Sequence, residues 1–150
     1  MKHSARHRAR AFVLQGLYQW MLSGSDPAAI RSNLSEASGF AKCDRAFFDV
    51  LWSGVTGKFQ ALVGAFAPYL DRAPSEVSPI EKAILVIGTF EILHAPEIPY
   101  RVAINEAVEL AKAYGGTDGH KFVNGVLDKV ATDVRAAEIA ALARERNTPA

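Results

Sequence analysis

The 150-residue chain has a single cysteine, Cys43, with no CxxC or Cys/His cluster around it. That excludes an intramolecular disulfide and a cysteine-based zinc site, and it fits a reducing compartment, the cytoplasm. Strand signals are scarce as well: no sustained alternation of β-branched residues occurs, and no Asn-Gly or Asp-Gly hairpin joins two such runs. Long apolar runs are also missing. The strongest, "AILVIGTFEIL" from Ala83 to Leu93, contains Glu91 and falls short of the roughly 20 residues a membrane span needs. Gln15 and Gln19 interrupt the apolar stretch after the basic start, which argues against a secretory signal. Finally, we find no Cys/His pair, HExxH, GxSxG, Walker-type loop or histidine-linked carboxylate pair, so neither catalysis, a metal nor a cofactor is expected.

What is present is an ordinary globular composition, 49% hydrophobic and 22% charged, in a length that suits one domain over residues 1–150. Its charge is unevenly placed. Four of the 17 basic residues, Lys2, Arg6, Arg8 and Arg10, stand in "MKHSARHRAR", and no acidic residue precedes Asp26.

Helical periodicity dominates. A first helix is predicted from about Ser4 to Leu22, and Asp26 with Pro27 opens a second one ending near Gly39. A long helical pattern runs from Asp44 to about Tyr69, with Gly54, Gly57 and Gly64 inside it marking a close helix crossing. Ser78, Pro79 and Glu81 form a capping box ahead of a nearly all-apolar helix to His94. An amphipathic helix follows from about Tyr100 to Tyr114, turning Glu106, Glu109 and Lys112 outward. Thr117 or Asp118 then caps a last helix whose buried stripe is Val123, Val126, Leu127, Val130 and Val134. Residues 143–150 are expected to fray. The sum is an all-α fold of six or seven helices.

Three features suggest binding. At about 100° per residue, Lys2, Arg6 and Arg10 lie within about 80° of each other and extend the stripe of Val13, Leu17 and Met21. The first turns should therefore overhang the body and grip phosphate; a solvated basic terminus is the plainer alternative. Phe122 sits off the buried stripe beside Lys121, either as a platform for an unstacked base or packed on a neighbouring helix. Tyr69 and Arg72 form a similar pair. The line Glu81, Leu85, Gly88 and Ile92 is either a second buried face or a docking surface.

"RARAFVLQGLYQW" (Arg8 to Trp20), "IEKAIL" (Ile80 to Leu85) and especially "IPYRVAINEAVELAKAYGGTDGHKFVNGVLDKV" (Ile98 to Val130) resemble the bacterial transcription antitermination factors of the NusB family. The resemblance implies two perpendicular three-helix bundles and a function without catalysis. It implies pairing with NusE, which is ribosomal protein S ten, binding to the single-stranded boxA element of ribosomal RNA leader transcripts, and entry into an RNA polymerase antitermination complex. Carried onto this chain, the RNA contacts are Lys2, Arg6, Arg8, Arg10, Tyr69, Arg72, Lys121 and Phe122. The partner-facing residues are Tyr18, Glu81 and Asp118. His7 stands where many members carry another arginine, and Ser75 where an acidic partner contact can occur. Some members self-associate, and the apolar central helix offers surface for a homodimer. Other readings are an RNA-binding accessory domain of an rRNA-modifying system and a helical scaffold that binds protein only.

Overall fold

A computed structural model describes residues 4–147. These residues form eight α-helices and no strand: α1 (Ala5–Ser23), α2 (Pro27–Ser35), α3 (Arg45–Gly57), α4 (Phe59–Phe66), α5 (Pro79–His94), α6 (Tyr100–Tyr114), α7 (Gly119–Val134) and α8 (Ala136–Asn147). Short 3-10 turns at Phe40–Lys42, Ala67–Tyr69 and Pro74–Glu76 join some of them.

Local chemistry sets the helix starts. Ser4, Asp26, Asp44 and Ser78 each accept a backbone N–H from the first turn of α1, α2, α3 and α5, and Pro27 and Pro79 supply a preset φ where no donor is needed. Such a cap contributes about 1 kcal/mol. α1 ends at Gly24, whose φ of 68° is the left-handed conformation glycine adopts without a Cβ penalty.

Two helices expected as continuous are divided. The Asp44–Tyr69 pattern breaks at Lys58, with φ −118° and ψ 21°, directly after Gly57. Of its glycines, Gly54 makes the close crossing: a Cβ there would lie 2.1 Å from the Phe90 ring, whereas Gly57 and Gly64 face open space. The last helix breaks at Arg135, with φ −111° and ψ 31°. This break leaves Val134 46% exposed, outside the buried stripe assigned to it, and α8 carries helical structure through Asn147 where fraying was expected.

α5 is the centre of the core. It packs against α1, α3 and α4 on one side and against α6 and α7 on the other. Leu85, Gly88 and Ile92 are buried, so the line that begins at Glu81 is a second core face. The apolar surface of α5 from Ala83 to Ile92 is consumed within the chain, which removes it as a homodimer surface.

The C-terminal end of α5 is closed by a single side chain. Arg135 donates through Nε to Ile92 O, through Nη2 to Glu91 O and Ala95 O, and through Nη1 to Ile98 O. Nη1 also donates to Glu138 Oε1 at 2.6 Å, while Glu138 Oε2 accepts from Tyr100 N at the start of α6. Ile92 O, which the helix end leaves without a backbone donor, thus receives one from another helix junction, and Glu91 O and Ala95 O receive a second.

Candidate functional site

The first turns of α1 do not overhang the body. Asp44 N donates to Ala5 O, and Phe47, one turn into α3, lies under two guanidiniums: Arg6 Cζ is 4.7 Å and Arg10 Cζ 4.8 Å from its ring centroid. Arg6 remains outside, its side chain 53% exposed and its Nε 3.6 Å from Asp44 Oδ2. Lys2 lies outside the described residues.

Arg10 corrects the phosphate-gripping stripe. Its side chain is only 3% exposed and binds the buried Glu91 carboxylate, from Nε at 3.1 and 2.9 Å and from Nη2 at 2.6 Å. A guanidinium committed this way has no face left for phosphate. The wheel placed Arg10 on the core stripe correctly but could not supply the carboxylate that makes such burial tolerable. Burial pushes the Glu91 carboxyl above its ordinary range, and the Arg10 hydrogen bonds oppose that rise. Glu106, expected to point outward, is half-buried: its Oε2 lies 2.6 Å from His7 Nδ1 and 3.8 Å from Arg10 Nη1.

A second cluster gathers around the start of α7. Tyr69, Asp71, Lys121, Phe122 and Lys129 help line a cleft of about 200 Å³. The Arg72 guanidinium lies 4.7 Å from the Phe122 centroid and is held by Asp71, to which Nε donates at 2.7 Å. That hydrogen bond keeps the Asp71 carboxyl below its ordinary range. Phe122 is half-buried and packs on the core, so its ring both anchors α7 and borders the cleft. The four residues Tyr69, Arg72, Lys121 and Phe122, read from separate stretches of sequence, therefore come together.

Beside this cluster, Glu81 lies against the turn between α6 and α7: a Cβ on Gly119 would sit 3.2 Å from its carboxyl group. The capping box is half-formed, since Ser78 Oγ accepts from Glu81 N while the Glu81 carboxylate is turned to that turn. Asp118 precedes α7 but caps nothing with its side chain. Its φ of 62° is left-handed, not the extended geometry an N-cap side chain needs, and its carboxylate instead lies 3.4 Å from Lys121 Nζ. Tyr18, 37% exposed, borders a groove of about 220 Å³ with Leu14, Ile80 and Tyr114.

Sequence reasoning missed Phe47 and the Phe12, Lys112 and Tyr114 surface of α1 and α6. Phe47 falls in an apolar pattern that signals core, and Lys112 on the solvent face of a helix carries no signal of its neighbours. Among the described residues no group of three His, Cys, Asp or Glu side chains converges to hold a metal, and no helix is long and apolar enough to cross a membrane.

The structure is an all-α domain whose surface gathers a basic and aromatic cluster of Tyr69, Arg72, Lys121 and Phe122. The chain belongs to the NusB family, whose model matches residues 7–132. It is 55% identical over 138 residues to the transcription antitermination protein NusB of Ralstonia pickettii, covering 92% of this chain and 89% of that one. It is 56% identical over 135 residues to the protein of the same description from Thiobacillus denitrificans, covering 90% and 93%. Among solved structures, NusB of T. maritima aligns with TM-score 0.76 at 27% identity, over 88% of this chain and 93% of that one. A structure of antitermination factors NusB and NusE in complex with dsRNA aligns with TM-score 0.77 at 22% identity, over 86% and 97%, and shares the fold.

Proposed function

We propose that the chain is a transcription antitermination factor that binds the single-stranded boxA element of ribosomal RNA leader transcripts together with NusE, ribosomal protein S ten. The heterodimer joins an RNA polymerase complex in the cytoplasm and contributes binding, not catalysis. The observation that carries this reading is the convergence of Tyr69, Arg72, Lys121 and Phe122 from two chain segments at the start of α7. An aromatic face bordered by basic side chains suits unstacked bases and their phosphates. Relatives more than half identical carry the antitermination description, and a more distant structural relative occurs with NusE and RNA.

In this reading Arg6, Arg8, Tyr69, Arg72, Lys121 and Phe122 contact RNA, joined by Lys2 ahead of the helix. Tyr18, Glu81 and Asp118 face NusE. Arg10 acts indirectly, by fixing the turn that displays Arg6 and Arg8. The test is the affinity for boxA RNA with and without NusE across a salt series. Binding that is tighter with NusE and weakens as salt rises is expected. Absence of binding in both conditions at low salt overturns the reading.

A further inference from the structure

A cleft of about 450 Å³ opens between the first half of α1 and the C-terminal half of α6. Its volume falls within the roughly 300–1,000 Å³ typical of ligand pockets. His7, Arg8 and Phe12 form one wall; Glu109, Lys112 and Tyr114 form the other. Residues 8 and 12, and residues 109 and 112, are helical neighbours, so each wall is a continuous strip of side chains.

The walls differ in chemistry. Phe12 is half-buried and fixed by an edge-on contact with Phe40, the ring centroids 5.3 Å apart. Tyr114 is 56% exposed at the last turn of α6 and also borders the Tyr18 groove. Among the described residues Arg8 forms no ion pair, whereas Lys112 Nζ lies 3.7 Å from Glu109 Oε1 with both side chains more than half exposed.

The geometry points to this cleft as the site of one unstacked nucleotide of the bound RNA, a role that rests on the RNA reading above and extends it. The exposed Tyr114 ring supplies a stacking face, and the unneutralised Arg8 supplies charge for the adjoining phosphate. On the α6 wall Lys112 is already paired with Glu109, so the backbone follows the α1 wall, where Arg8 has no carboxylate partner among the described residues, and the base edge turns to α6. A carboxylate only accepts hydrogen bonds, which favours cytosine, adenine or guanine, with their exocyclic amines, over uracil. An acidic peptide would meet Glu109 unfavourably and gain nothing from an open ring face.

The test uses the full chain with NusE and boxA RNAs in which each nucleotide in turn is made abasic. For the unaltered protein, one abasic position should lose about 5- to 150-fold in affinity through lost stacking. With Tyr114→Ala that position should cost nothing further, Tyr114→Phe should restore the loss, and Glu109→Gln should reduce discrimination against uracil there. RNA affinity unchanged by Tyr114→Ala overturns the site while leaving the RNA reading intact. Loss of NusE binding by Tyr114→Ala with RNA affinity retained assigns the cleft to protein contact and overturns it as well. If the unaltered protein binds no RNA with or without NusE, the RNA reading fails, and the site fails with it.

Discussion

Two sets of arginines do opposite things with their charge. Around Glu91, Arg10 binds the carboxylate and Arg135 binds the backbone carbonyl, so one residue of α5 is held from α1 and from the α7–α8 junction. At two separate places on the surface, Arg6 and Arg72 keep substantial exposure, 53% and 40% of their side chains, and lie over the aromatic rings of Phe47 and Phe122. In the first set the guanidiniums are buried and bonded within the fold, so the charge contributes architecture. In the second, weak surface pairs with Asp44 and Asp71 leave the guanidiniums able to exchange partners. Counting arginines therefore says little about nucleic-acid binding; what matters is whether the fold has already supplied each one with a partner.

The sharpest way to break this comparison is Glu91→Ala, which strands Arg10 in the core. It should cost about 3–5 kcal/mol, read by chemical denaturation, because a buried charge loses its partner. A loss below about 1 kcal/mol would mean that Arg10 finds water or another carboxylate, and that the inner set is not fixed as described. Next, Arg135→Lys keeps the charge but cannot reproduce a planar fork reaching four carbonyls and a carboxylate. We expect about 2 kcal/mol of destabilisation with early loss of α8, seen as faster amide exchange there.

The surface set should behave differently. Phe122→Ala is expected to cost about 1–3 kcal/mol of RNA binding if a base stacks on the ring. Early unfolding with unchanged RNA affinity would assign the ring to packing alone. The smallest effect is Arg6→Ala, which should leave the melting temperature within a degree or two and lower the log–log salt slope of RNA binding by about one. An Arg6→Ala protein that melts as early as Glu91→Ala would erase the distinction between the two sets.

Much of the fold was legible locally. Asp26 with Pro27, and Ser78 with Pro79, announce two helix starts through side-chain and φ chemistry that needs no distant partner. The apolar stripe of α7 read correctly through Val123, Val126, Leu127 and Val130. The breaks at Lys58 and Arg135 did not, because neither residue is a strong breaker and the Arg135 junction is stabilised by the carbonyls of α5. The gathering of Tyr69 and Arg72 with Lys121 and Phe122 came from family resemblance, since spacing alone cannot join stretches about 50 residues apart.

The amino-acid order by itself determined the helical class, most helix starts, the burial of α5 and the concentration of positive charge at one end. Those depend on neighbours three or four residues away, which the chain carries with it. The tertiary structure alone decided which arginine is inside. Arg10 and Glu91 are separated by 81 residues, and only the packing of α1 on α5 brings the carboxylate within hydrogen-bond reach and excludes the water that would otherwise compete for both charges.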